Sequence, residues 1–178
     1  MAQLFQFCPR CGAPDFSAVR PNLLVCGRCG FHYYLNPVVS ATALVADPAG
    51  RLLLIRRAKA PASGKLAFPG GFIDFGETAE QAVRRELQEE LGLEIVAQQY
   101  LTSHPNNYLY REVEYRVLDL FFAARVRGYE IRAEAAEVAD YHWVAPEAID
   151  PAELAFDSMR AALAACLAHQ PFGKLNSL

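Results

Sequence analysis

Apolar residues along the chain fall into short runs broken by Gly, Pro and Asp. Residues 38–46, Val-Val-Ser-Ala-Thr-Ala-Leu-Val-Ala, form a largely apolar, β-branched run that reads as a buried strand. Asp47-Pro48-Ala49-Gly50 is a turn and residues 51–57 a second strand, so the pair predicts a β-hairpin. Residues 59–65, with Pro61 and Gly64, read as a loop, and Pro69-Gly70-Gly71 as a backbone turn. Over residues 78–91 the period becomes helical: Val83, Leu87 and Leu91 make an apolar stripe. Thr78 with Gln81 fits a capping box, and Gly92 fits the stop. Strands are expected over 94–102, 112–126 and 138–144. A last helix is expected over 156–169, with Met159, Leu163, Cys166 and Leu167 on one stripe and Cys166 as a core thiol. Interleaved strands and two helices predict an α/β sandwich around a mixed sheet.

The first 34 residues are different in kind. They hold four of the five cysteines, and Pro37 marks the passage to apolar sequence. A small module over 1–34 and a main domain over 35–178 follow, and a length of 178 residues suits one domain with a little over. A hydrophobic content of 53% with 21% charged residues excludes general disorder. Seventeen Lys and Arg against 20 Asp and Glu give a net charge of -3, which excludes recruitment of nucleic acid by bulk charge. The long apolar stretch at 31–46 contains His32, Asn36, Pro37 and Ser40 and falls short of the ~18 apolar residues of a membrane span. Residues 1–7 carry no basic segment followed by an apolar one, so no secretory signal is expected. A reducing cytoplasm is the expected location, where disulfides are rare.

The cysteines therefore need another partner. Cys8-x2-Cys11 and Cys26-x2-Cys29 are separated by 14 residues, with Gly12 and Gly30 after the second Cys of each pair. Two such knuckles match a zinc ribbon: four thiolates suit a closed, tetrahedral and hence structural Zn²⁺. A redox CxxC needs only one pair and a βαβ setting, and two disulfides do not suit the cytoplasm. A piece of this size cannot build its own core, so the metal would supply its folding energy. Arg10, Arg20, Arg28 and His32 are a thin footprint for nucleic acid. A structural or dimer-contact role is expected instead.

The other chemical signal is acidic. Glu86, Glu89 and Glu90 are related by i, i+3 and i+4 and share a helix face, where like charges repel. They sit in the C-terminal half of the helix, where the dipole disfavours acids. Arg85 can reach Glu89 or Glu77, but one guanidinium cannot neutralise four carboxylates. Clustered carboxylate oxygens suit Mg²⁺ or Mn²⁺. A solvated charged face is the plainer reading of the same residues.

The segment from Gly71 to Leu93, with Glu77 and Arg85-Glu86-Leu87-Gln88-Glu89-Glu90-Leu91-Gly92-Leu93, matches G-x5-E-x7-R-E-U-x-E-E-x-G-U (U apolar) at all nine fixed positions. It resembles the box of the Nudix hydrolases. The resemblance implies an α/β/α sandwich and a Mg²⁺- or Mn²⁺-dependent hydrolysis of a diphosphate joining a nucleoside to another group. It implies Glu86, Glu89, Glu90 and the Gly70 carbonyl as metal ligands, and Arg85 and Glu77 as the pair orienting them. Glu137, six residues before Trp143, resembles the position of a general base outside the box; Glu134 and Glu89 are the alternatives.

A zinc ribbon before such a domain resembles the NADH pyrophosphatase branch. Its S-Q-P-W-P-F-P-x-S signature becomes Ser103-His104-Pro105-Asn106-Asn107-Tyr108-Leu109-Tyr110-Arg111 here, keeping Ser103 and Pro105 and replacing Phe by Tyr108. This loop is expected to touch substrate through Ser103, His104, Asn106 and Tyr108, with Tyr108 and Tyr110 stacking on a base. Arg56, Arg57 and Lys65 are candidates for phosphate, and Phe68 and Phe72 for the pocket wall. The expected substrate is a small NADH-, ADP-ribose- or FAD-like nucleotide, and the expected assembly a homodimer. A Nudix-fold ligand or nucleic-acid binding protein without turnover, and removal of a nucleotide cap from RNA, are the alternatives.

Overall fold

A computed structural model describes residues 5–169 and 171–172. Residues 1–4, part of the stretch read for a signal, lie outside the described residues, as do 170 and 173–178 at the end of the expected main domain. The chain divides into two compact units, Met1–Pro37 and Val38–Leu178.

The first unit is a three-stranded antiparallel sheet of β1 (Phe16–Arg20), β2 (Leu23–Cys26) and β3 (His32–Tyr34), in that order. Its buried core is small: Cys8, Ala13, Phe16, Leu24 and Cys26, with Phe5, Phe31, Tyr33 and Leu35 packed around them. Two of those five core residues are cysteines, so apolar burial alone is a weak source of stability here.

The second unit contains β4 (Val38–Val45), β5 (Leu52–Arg57), β6 (Leu66–Ala67), β7 (Gly70–Phe72), α1 (Ala79–Leu91), β8 (Ile95–Tyr110), β9 (Val113–Val126), β10 (Val138–Val144) and α2 (Asp157–His169). One sheet has the order β7-β4-β9-β8 and the other β10-β5-β6. In the first sheet β4 and β9 run parallel while the outer pairs are antiparallel, so the sheet is mixed as expected. Helix α1 lies along β4 and β7, and α2 along β8. The core joins both sheets and both helices through Leu44, Leu53, Phe121, Leu87 and Leu163. No helix among the described residues is long and apolar enough to cross a membrane.

Local signals produced the helix. Gln81 N–H donates to the Thr78 hydroxyl at 3.2 Å and Thr78 N–H to the Gln81 side chain at 2.8 Å, closing the capping box. Gly92, at φ +68°, ends α1 in the left-handed conformation.

Four expectations are corrected. The predicted hairpin of β4 and β5 does not form: the two meet at one isolated bridge, Ala46 to Leu52, and enter different sheets. Leu52, Leu53 and Leu54 are all fully buried, so β5 has two apolar faces and takes β10 and β6 as its partners. The turn at 69–71 is a bend at Pro69 that opens directly into β7. The expected loop at 103–111 is strand: β8 continues through Pro105 to Tyr110. Proline is tolerated because β8 is an edge. Arg111 and Glu112, both at positive φ, then make the tight connection to β9. On α2, Leu167 is exposed and Ala162 takes its place on the buried stripe beside Met159, Leu163 and Cys166.

Candidate functional site

Both chemical clusters seen in the sequence are built by backbone geometry. In the first unit, Gly12 N–H donates to Cys8 O and Gly30 N–H to Cys26 O, each at 2.9 Å, and both glycines have φ near +70°. The two knuckles are thus near copies that turn their cysteines inward. The four Sγ atoms lie within 4.8 Å of one another, with Cys8 to Cys29 at 3.8 Å and Cys11 to Cys26 at 3.7 Å. Metal–sulfur bonds of ~2.3 Å in a regular tetrahedron give sulfur–sulfur edges of roughly 3.8 Å. The donor set and its spacing therefore fit one tetrahedral ion. The Cys29 backbone N–H, 3.5 Å from Cys26 Sγ, lowers the Cys26 thiol to about 7 and favours the thiolate a metal needs.

In the second unit, a cleft of about 470 Å³ opens between β7, α1, the β8–β9 pair and the start of α2. That volume suits a small-molecule ligand. One half is charged, with Gly70, Gly71, Arg85, Glu86, Glu90 and Glu137 in its lining. Glu90 is only 7% exposed and accepts the Gly70 N–H at 2.9 Å. Burial pushes its carboxyl up to about 8, and repulsion from Glu86 and Glu137 acts the same way. Burial also raises Glu86. A Cβ on Gly71 would lie 2.4 Å from Glu86 Oε1, and one on Gly70 would lie 2.3 Å from Ala41 O. Gly70 is therefore required where β4 approaches the backbone, while Gly71 leaves room for the Glu86 carboxylate where it stands.

Arg85 is the hub of the charged half. It donates to Glu77 at 2.9 and 3.0 Å, to Glu86 at 2.7 Å, to Glu89 at 3.1 Å and to Phe72 O at 2.9 Å. The Glu77 carboxyl is held low by that pairing. Glu89, with its side chain 61% exposed, turns outward onto Arg85. The three carboxylates therefore share a helix face without yet converging: among the described residues, the four cysteines are the group whose ligand atoms already gather within 4.8 Å. Glu86 and Glu90 remain desolvated carboxylates at the cleft, a setting in which a hard cation is stabilising.

The other half of the cleft is aromatic. Tyr108 packs between Phe72 (centroids 5.6 Å apart) and Phe156 (5.7 Å), and Asn106, Tyr110 and Asp119 line the same space.

These geometries sit on a recognisable chain. The NUDIX domain family profile matches residues 36–166. The chain belongs to the Nudix family. It is 31% identical over 138 residues to the "NAD-capped RNA hydrolase NudC" of Stutzerimonas stutzeri, covering 78% of this chain and 47% of that protein. It is 32% identical over 136 residues to the "ADP-ribose pyrophosphatase" of Methanocaldococcus jannaschii, covering 73% and 78%. Among solved structures, a NUDIX hydrolase from Nitrosomonas europaea superposes with a TM-score of 0.69 at 22% identity, covering 95% of this chain and 94% of that one, a likeness of fold. The chain spans about half the length of the NudC relatives it matches.

Within this Nudix domain the expected residues are unevenly gathered. Gly70, Arg85, Glu86, Glu90, Glu137, Asn106 and Tyr108 line the cleft; Phe68 and Phe72 line it too. Glu77 and Glu89 stand behind or beside it on Arg85. Glu134 does not line it and accepts the Ala136 N–H at 3.2 Å. Arg56 and Lys65 are not in the lining: Arg56 donates to Gly64 O at 2.7 Å, and Lys65 pairs with Glu153 at 3.3 Å. Arg57, the third candidate, does line the cleft, and so does Lys59, which donates to Glu137 at 2.9 Å. Successive strand residues face opposite ways, so the choice between Arg56 and Arg57 is one of parity. Ser103 and His104 also lie outside the lining, and the His104 ring nitrogen bonds the Thr102 hydroxyl at 3.1 Å. Sequence reasoning missed Lys59, Asp119 and Phe156. Asp119 carried a signal, a single acid inside the apolar run Val117-Leu118-Asp119-Leu120-Phe121-Phe122.

Proposed function

We propose that this Nudix chain is a Mg²⁺- or Mn²⁺-dependent pyrophosphohydrolase. It would cleave a nucleoside diphosphate linked to X, of the NADH, ADP-ribose or FAD type, into a mononucleotide and phosphorylated X. The observation that carries this reading is the pair of desolvated carboxylates, Glu86 and Glu90, set against the Gly70-Gly71 backbone at the charged end of a nucleotide-sized cleft. The names of the NudC and ADP-ribose pyrophosphatase relatives support the same substrate class.

Glu86, Glu89, Glu90 and the Gly70 carbonyl would hold the ion. When bound, it supplies charge neutralisation for the diphosphate and a more acidic water. Arg85, itself fixed by Glu77, positions Glu86 and Glu89, two of the carboxylates that would hold the ion. Glu137 takes the proton of the attacking water as a phosphorus–oxygen bond forms and the bridging bond breaks. Lys59 pairs with Glu137 and orients it, and Arg57 and Lys59 offer positive charge to the phosphates. The aromatic half stacks on the base or on X.

Cys8, Cys11, Cys26 and Cys29 would hold one structural Zn²⁺ in a ribbon module over 1–34, ahead of a Nudix domain over 35–178. A reducing cytoplasm, where disulfides are rare and thiolates stay available to a metal, suits that centre. The long edge strand β8, with Val96, Tyr100 and Leu109 exposed, supports a homodimer. The test is a hydrolysis panel of NADH, NAD, ADP-ribose, FAD, dinucleoside polyphosphates and nucleoside triphosphates with Mg²⁺ or Mn²⁺. Metal-dependent release of a mononucleotide from the diphosphate-linked compounds is expected. Inactivity on all of them would leave the binding-protein alternative.

A further inference from the structure

Asp119 is the most unusual side chain in the aromatic half. It is only 6% exposed, yet it lines the cleft. Its two oxygens are treated alike: the Ser40 hydroxyl donates to Oδ1 and the Ser158 hydroxyl to Oδ2, each at 2.5 Å. Ser40 stands beside it on β4, in register, and Ser158 reaches it from α2. All three residues are buried, and among the described residues no Lys, Arg or His forms an ion pair with Asp119.

A carboxylate offers about four acceptor sites on its two oxygens. The two serines fill one on each, which fixes the plane of the group and leaves one acceptor per oxygen. A buried carboxylate with unfilled acceptors is costly, and the cost falls when an N–H donor arrives. The cleft supplies the direction. Ser40 is in register with Phe72 on one side and Asp119 on the other, while Thr42 is in register with Gly70. Two residues of β4, roughly 7 Å of strand, thus separate the charged half from Asp119. A nucleotide whose phosphates lie at Gly70 reaches Asp119 with its base, beside the Phe72–Tyr108–Phe156 cluster.

The geometry points to Asp119 as the base-reading residue of the cleft, accepting an N–H from the base edge and selecting purines that carry an amino donor. This rests on the cleft being a nucleotide site but not on turnover. A site built to hydrogen-bond a substrate group rejects the analogue lacking it, because the site's own polar atoms are left unpaired. Asp119→Asn keeps the shape and an acceptor oxygen for one serine, but it presents an N–H where the second carboxylate oxygen stood.

The experiment is calorimetric binding to the whole protein, without added Mg²⁺ or Mn²⁺, of three probes: ADP, its analogue lacking the 6-amino group, and GDP. The wild type is expected to bind ADP or GDP about tenfold or more tighter than the amino-free analogue. Asp119→Asn is expected to bind the amino-bearing purines and the analogue alike, within about threefold, with a melting temperature close to wild type. A preference for GDP over ADP supports the proposal and identifies the two-donor guanine edge as the group read. Equal binding of all three by the wild type, no binding of any, or a parallel loss for all three in Asp119→Asn overturns it. The same preparation assayed on the full substrate panel with Mg²⁺ or Mn²⁺ separates the two readings: amino-selective binding without hydrolysis of any of them refutes the enzyme and leaves the base reader standing.

Discussion

Arg85 grips Glu77 through two nitrogens, at 2.9 and 3.0 Å, and also donates to Glu86, Glu89 and the Phe72 carbonyl. This planar fork is what the helix face lacks elsewhere, since α1 has no basic residue in its last turn. A lysine carries the charge without the fork. Arg85→Lys is therefore expected to fold normally and to lose about 10- to 100-fold in Mn²⁺ affinity and activity. Titration of activity against Mn²⁺ checks it, and an unchanged titration would remove Arg85 from the metal-orienting role.

The two glycines at the start of β7 should fail differently. A Cβ on Gly71 meets the flexible end of Glu86, so Gly71→Ala displaces a carboxylate and should cost on the order of 10²-fold in activity with little change in melting temperature. A Cβ on Gly70 meets the Ala41 carbonyl and Thr42 Cα at a residue with φ +142°, so Gly70→Ala should destabilise by roughly 2–4 kcal/mol. Thermal melts and rates measured side by side distinguish the two.

Glu90 sets a pH dependence. Burial raises its carboxyl from 4.5 to about 8, so the folded state favours the protonated form. For a raised acid, the contribution to stability is full below the unfolded value and is lost as pH rises through the folded one. Without added Mg²⁺ or Mn²⁺, Glu90→Gln should therefore gain in melting temperature relative to wild type between pH 5 and pH 8. Mn²⁺ at pH 8 should narrow the gap by stabilising the wild type. A difference independent of pH would mean that Glu90 is not desolvated.

The cysteine unit can be tested apart from the Nudix domain. Trp143, the single tryptophan of the chain, lies in the second unit. Metal analysis should find about one zinc per chain. Cys26→Ser should lose it and make the first 37 residues sensitive to protease, while the Trp143 fluorescence melt stays in place. A zinc-free preparation that resists protease over those residues would contradict the four-thiolate centre.

What the sequence made legible was local. The Thr78–Gln81 box, the Gly92 stop and the two cysteine knuckles each depend on residues within a few positions of one another, and each formed as read. Strand pairing was not local. The choice of β9 over β5 as partner for β4 brings Ser40 to Asp119 across 79 positions, and no turn signal encodes it. Residues 103–111 were expected as a loop, but they continue β8, whose place at the sheet edge tolerates Pro105. Of the three cations read as phosphate candidates, Arg57 lines the cleft and Arg56 and Lys65 do not, because which face of a strand meets the cleft depends on partners the sequence does not name.

One measurement bears most directly on the acidic face as a metal-dependent diphosphate-cleaving site. ADP-ribose is incubated with Mg²⁺ or Mn²⁺ and either wild type or Glu90→Gln, and the phosphorylated products are separated. The wild type is expected to yield AMP and ribose 5-phosphate in equal amounts only when metal is added, and Glu90→Gln to yield neither at a comparable rate. Equal turnover by the two proteins, or turnover without a divalent ion, would contradict the account.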